Sequence, residues 1–184
     1  MIGPEHFLPV HFKECHARLI QAEPQFCLDA AAMFRAEDDP LIQFCLGLRD
    51  LPGRLRRGQE AHRFSMNSFT SLGREGERRL WLGLMGSFWR WDYGLLPHET
   101  TKAEFWKQDA NACRLLLVFE TERIASHKTR LVTRTLVSCP QPELRRKMTP
   151  YWYGIRPVSG LIRRRMLSAI EKKAVALQNR SFTF

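Results

Sequence analysis

The sequence predicts an α+β fold in which an antiparallel sheet carries a long C-terminal helix on one face. Three observations lead there. Period-two alternation dominates from Arg63 to Ser138. The chain then ends in a stripe at helical spacing, with Ile162, Met166, Ala169, Ile170, Ala174 and Leu177 on one arc and Arg164, Ser168, Glu171 and Gln178 opposite. The order is also telling: one strand, two helices, several strands and a final helix is the order of an α+β domain, not of alternating βα units.

The elements follow in order. After a Pro-bearing arm (residues 1–10), His11–Gln21 has the mixed alternation of a strand, which Ala22-Glu23-Pro24 ends because proline cannot continue a ladder. Gln25–Arg35 spaces Phe26, Ala30, Met33 and Phe34 as a helix. Asp39-Pro40 opens a second helix, with Asp39 as its cap and Pro40 at its first position, carrying Leu41, Phe44, Cys45 and Leu48 until Pro52-Gly53 stops or bends it within Asp39–Arg57. Arg63–Leu72 alternates weakly, Gly73–Gly76 reads as a turn, and Arg79–Trp89 is a strand with Leu80, Leu82, Leu84, Gly86 and Phe88 on one face. A short helix at Thr101–Gln108 precedes the clearest strand, Cys113–Arg123, with Cys113, Leu115, Leu117 and Phe119 on one face. Thr129–Ser138 closes the hairpin and sets Leu131, Thr133, Thr135 and Val137 in a row. Met148–Leu177 reads as a short helix, a turn at Pro157, and one long amphipathic helix whose apolar arc Arg163 and Lys173 interrupt.

Composition bounds the function. A chain of 184 residues, 44% hydrophobic and 11% aromatic, suits a single domain over 1–184 with its own core. The longest apolar run of large side chains, Leu115–Phe119, is far below the ~18 residues that span a bilayer, and Met1–Val10 lacks the basic-then-apolar pattern of a leader. A cytoplasmic protein without a transmembrane segment is expected. Five cysteines, evenly spread and without a C-x-x-C pair, predict reduced and mostly buried thiols. The net charge of +10 comes from 29 Lys and Arg against 19 Asp and Glu, clustered at Arg54–Arg57, Arg145–Lys147 and Arg163–Arg165. These clusters are short and no nucleic-acid motif accompanies them, so a solvated basic face is expected and no specific nucleic acid.

Three segments resemble the START-like (SRPBCC) superfamily, within a group of uncharacterised bacterial proteins. They are Glu14-Cys15-His16-Ala17-Arg18 with the Glu23-Pro24 helix start, Gly86-Ser87-Phe88-Trp89-Arg90, and Tyr151 to Arg164 (YWYGIRPVSGLIRR). Where that group shows Thr-Glu-Thr-Arg, this chain has Thr133-Arg134-Thr135-Leu136, which argues against ion pairing on the alternate face. The resemblance implies a helix-grip fold over residues 11–184: a curved antiparallel sheet wrapped around the C-terminal helix. Between them it implies a cavity for a small hydrophobic or amphipathic molecule, with no cofactor and no required catalysis.

Candidate residues each have a competing structural reading. His16 alternates with Phe12, Glu14, Arg18 and Ile20, which suits a ligand contact, a proton carrier near neutral pH, or a histidine satisfied within the fold. Thr133 and Thr135 are either orienting groups in an apolar pocket or small strand formers. Phe88, Trp89, Phe119, Trp152 and Tyr153 form a pocket wall or plain core, and Tyr153 adds a hydroxyl. Arg163 and Lys173 suit a ligand carboxylate or phosphate, or stems lying along apolar surface. Arg163 is the expected ligand cation, with Arg164 pointing to solvent. Trp81, Met85 and Trp89 form an outer row that needs cover from the Asp39–Arg57 helix or a dimer contact. No metal is expected, since His6, His11 and His16 are five apart and His62, His98 and His127 stand alone. Three functions follow: a ligand-binding START-like protein, a cyclase/dehydrase-like enzyme using His16 or Tyr153 as acid or base, and a basic module for nucleic acid or a membrane surface.

Overall fold

In the computed structural model, residues 4–35, 38–44, 68–90, 92–108 and 110–181 are described. Along them run strand β1 (Phe12–Ile20), helix α1 (Pro24–Ala32), a helical stretch at 40–44, strands β2 (Thr70–Glu75) and β3 (Arg79–Gly86), helix α2 (His98–Glu104), strands β4 (Cys113–Ala125) and β5 (Lys128–Ser138), and helix α3 (Pro142–Ser181). The strands form one antiparallel sheet in the order β1-β5-β4-β3-β2, so the first strand is an edge. The fold is therefore α+β, with five antiparallel strands and a long C-terminal helix.

The register carries the alternation across the sheet. Leu80 pairs with Phe119, Phe119 with Thr133, and Thr133 with His16, so the apolar rows of β3 and β4 share a face with the two threonines and the histidine. On that face Ile20, Leu28, Leu117, Phe119, Leu131, Met166, Leu167, Ile170 and Ala174 form one buried cluster. Helix α1 lies over β3, β4 and β5, while α3 lies against α1 and β1. Glu23 and Pro24 start α1 as expected, and Asp39 caps the 40–44 stretch by accepting from the backbone N–H of Leu41 (2.9 Å) and Ile42 (3.1 Å). The rest of that predicted helix, with Cys45 and Arg54–Arg57, lies outside the described residues, as do His62 and the start of the strand predicted from Arg63.

Several expectations are corrected. The turn predicted at Gly73–Gly76 falls later: β2 runs through Gly73 and the chain reverses from Gly76, whose φ is +51°. Gly73 serves close packing, since a Cβ there would sit 2.9 Å from the Trp81 ring. Pro157 does not end a helix either, because α3 is continuous through Pro150 and Pro157. Both prolines are exposed, so the carbonyls they leave without a helical partner, those of Arg146 and Tyr153, lie at the wet surface. Met33, expected on the buried arc of the first helix, is 55% exposed, while Gln178, expected on the solvent side of α3, is buried and accepts the backbone N–H of Glu23 at 2.7 Å.

The outer row is covered by the chain itself. Trp81 and Met85 are buried against Phe7, Phe105, Ala110, Leu116 and Val118, and Phe7 stacks on Phe105 at 5.4 Å. The N-terminal arm thus closes the face for which a helix or a second copy was expected. Arg114 lies beneath it, fully buried, donating to the carbonyls of Phe105 (2.9 Å) and Leu8 (3.1 Å) and to Ser138 Oγ (3.1 Å). Cys113 at the start of β4 and Cys139 just after β5 form a disulfide, which corrects the expectation of reduced thiols, and Cys15 is exposed rather than buried.

Candidate functional site

The edge strand β1 and the first half of α3 enclose a cleft of about 640 Å³. Alternation along β1 decides what each side contributes. Glu14 and His16 face the helix, Lys13 and Cys15 face away, and the cleft wraps the strand edge to include Arg134 and Leu136 of β5. From α3 come Tyr153, Arg156, Pro157, Gly160 and Arg164, whose three- and four-residue steps keep them on one helical face.

Glu14 and His16 form the polar centre. His16 Nε2 lies 2.7 Å from Glu14 Oε1, and Ser159 Oγ donates to Glu14 Oε2 at 2.9 Å. The Glu14 side chain keeps only 8% of its exposure and the His16 ring 21%. Helix α3 passes directly above them: a Cβ on Gly160 would lie 3.6 Å from Glu14 Oε1 and 3.8 Å from His16 Cε1. With Nε2–H donating to the carboxylate, Nδ1 of His16 becomes the acceptor, an arrangement that orients an imidazole as a base. Ser159 bonds the carboxylate and not the imidazole, so the trio is not a serine-nucleophile relay.

Below this centre sit two buried polar atoms without a hydrogen-bond partner among the described residues, Thr133 Oγ1 and Arg163 Nε. Thr133 is the direct cross-strand neighbour of His16. Arg163 is half-buried with its Nε out of solvent, and burial pushes its guanidinium down to about 10 against the pull of the Glu14 carboxylate. Its Nη1 donates to Met166 Sδ at 3.7 Å. Buried polar atoms ordinarily find partners, and these two have none among the described residues, as is also true of Trp81 Nε1 on the other side of the sheet.

The cleft is cationic. Arg134 is held by Glu120 at 2.6 Å, which overturns the expectation that the alternate face of β5 makes no ion pair. Lys13, Arg156 and Arg164 line the cleft with no ion-pair partner among the described residues. Arg164 is exposed, as expected, and also borders the cleft, whereas Arg163 is half-buried with its Nε out of solvent.

The other predicted contacts are distributed differently. His16 and Tyr153 line the cleft, and Tyr153 is 63% exposed. Phe119 is packed in the main core, where α1 occupies the space over the sheet expected for a cavity. Thr133 and Thr135 are buried beneath helix and strand. Phe88, Trp89 and Trp152 belong to a separate cluster with Met148 and Val137, and Trp152 meets Phe12 at 5.6 Å. Lys173 is exposed and borders a second cleft of about 480 Å³ beside Met33 and Asp39. Glu14, Ser159, Arg156 and Arg164 were missed. A carboxylate two residues before His16 on one strand was the available signal for Glu14, and the Tyr153, Pro157, Gly160, Arg164 spacing was the signal for the helix.

No family model matches the chain, and no curated protein does. Among solved structures it is similar to the crystal structure of TTHA0849 from Thermus thermophilus, at 12% identity over 90% of this chain and 99% of that one. The TM-score of 0.34 is too low for that likeness to carry an argument.

Proposed function

We propose that this chain is a START-like, helix-grip protein of the cytoplasm that binds a small amphipathic molecule in the cleft between β1 and α3. The observation that carries the reading is the pairing of a cleft lined by Leu136, Tyr153 and Pro157 with cations that have no ion-pair partner among the described residues, Lys13, Arg156 and Arg164. An apolar body fits against the former and an anionic head against the latter. Titration with dodecanoate and dodecanol tests this. Arg164→Met should weaken the acid by roughly ten- to hundredfold, as for loss of one charged hydrogen bond, and leave the alcohol unchanged. Equal weakening of both would sink the charge-recognition argument.

A second reading rests on the Glu14–His16 contact at 2.7 Å. A carboxylate-oriented imidazole whose Nδ1 has no partner among the described residues suits general acid–base catalysis on the bound molecule, with Tyr153 as a second proton donor. Turnover of a co-purified ligand, identified by mass spectrometry and abolished in His16→Ala, would favour an enzyme over a binding protein.

A further inference from the structure

The first half of α3 carries a second surface, on its solvent side. From Leu144 to Ile170 the sequence contains no Asp or Glu but has Arg145, Arg146, Lys147, Arg156, Arg163, Arg164 and Arg165. At 100° per residue, Arg146, Lys147, Pro150, Tyr153, Pro157, Val158, Leu161, Arg164 and Arg165 fall on one arc about 140° wide. All of these residues are exposed, with Tyr153 at 63%, Val158 at 42% and Leu161 at 41%. Only Arg165 on this arc has an ion-pair partner among the described residues, Asp39 at 2.8 Å.

An exposed helix face that mixes cations with apolar side chains and excludes acids is complementary to a surface that is anionic outside and apolar just beneath. Nucleic acid would use the cations but gains little from Val158, Leu161 and two prolines, since stacking needs flat side chains and Tyr153 is the only aromatic on the arc. The cleft opens along the same stretch of helix, through Tyr153, Pro157 and Arg164. We propose that the outer face of α3 over residues 146–165 docks on an anionic phospholipid bilayer, so that the cleft meets the lipid surface from which an amphipathic molecule can enter it. The docking deepens the ligand reading above and rests on it for its purpose.

Flotation of the full chain with vesicles tests the docking, and uptake of a dansyl-labelled fatty acid from solution tests the cleft separately. Binding is expected to vesicles of phosphatidylcholine with phosphatidylserine, to be absent with phosphatidylcholine alone, and to fall as salt is raised. Reversing two charges in Arg146→Glu/Lys147→Glu should weaken vesicle binding at least ~tenfold. Leu161→Ser should weaken it several-fold without shifting the thermal midpoint, because its side chain is partly in water already. Neither variant should change uptake of the dansyl fatty acid from solution. Wild-type strength in both variants, or no vesicle binding by a chain that takes up the probe, overturns the docking and leaves the ligand reading standing. Vesicle binding without uptake does the reverse. Tighter binding to a single-stranded oligonucleotide than to vesicles, lost in the same double variant, would assign the face to nucleic acid and overturn the proposal.

Discussion

The two halves of α3 are one continuous helix with opposite tasks. The second half is tied into the fold on several sides. Met166, Ile170 and Ala174 are buried, Glu171 pairs with Arg18 at 2.5 Å, and Gln178 takes the N–H that opens α1. The first half buries Met148 and Trp152 but leaves Arg146, Lys147, Arg156 and Arg164 without acidic partners among the described residues, and it contains both prolines. Buried contacts are concentrated where the helix meets α1 and the sheet, and cations without acidic partners among the described residues where it runs beside the β1 edge. On the proposed reading, a surface that meets a ligand cannot commit its charges to internal pairs.

Substitutions can break this division, and the largest effect is expected at Ile170. Placing Asp there buries an unpaired carboxylate at a cost of several kcal/mol, against a total stability of ~5–15 kcal/mol, so Ile170→Asp should unfold the chain by circular dichroism. A variant that melts like wild type would remove the second half from its anchoring role. Next comes Gln178→Ala, which leaves the Glu23 N–H without its acceptor and should cost about 1–3 kcal/mol in denaturant titration. Dodecanoate affinity should stay unchanged, and a change in affinity would mean that the halves are coupled.

A smaller effect links the first half to pH. Burial, then Arg145 and Arg114, hold the His11 imidazole below its ordinary value of 6.5, and its Nδ1 accepts the backbone N–H of Cys139 at 3.1 Å. The folded state favours neutral His11. The stability it contributes is therefore complete above about 6.5 and is lost as pH falls through the lowered folded value. His11→Asn keeps an acceptor near the Nδ1 position and removes the titration, so its stability should fall less between pH 7 and 5 than that of wild type. An unchanged slope would place the acid sensitivity elsewhere. The smallest effect is expected for Arg163→Met, which retains the stem packing while removing an enclosed charge whose Nε is unpaired. Its thermal midpoint should move by less than ~1 kcal/mol equivalent in either direction. A large destabilisation would show that the attraction to Glu14 outweighs the burial of the arginine.

Much of the architecture was legible because it is written in local periods. Alternation in Arg79–Trp89, Cys113–Arg123 and Thr129–Ser138 placed β3, β4 and β5 with their faces right, and Asp39-Pro40 announced a capped helix start. The stripe Met166, Ile170, Ala174 identified the buried side of α3. The site was legible in fragments: His16 and Tyr153 were singled out and do line one cleft, while Glu14 went unnoticed as the partner of His16. Phe119, Thr133 and Thr135 were on the expected face, yet α1 and α3 cover that face so that none of them lines the cleft.

What the sequence determined by itself was therefore the class of β1, α1, β3, β4, β5 and the second half of α3, the apolar side of the three later strands, and the charge of the terminal helix, all properties of residues within a few positions of one another. Only the tertiary structure decided what lies against those sides. The arm residue Phe7 reaches Trp81 and Met85, Cys113 meets Cys139, Gln178 turns inward to Glu23, and Arg164 comes to border the cleft. The physical reason is that these pairings join positions far apart in the chain. A hydrophobic period states that a face must be buried or a polar atom bonded, but it does not name the distant residue that does so.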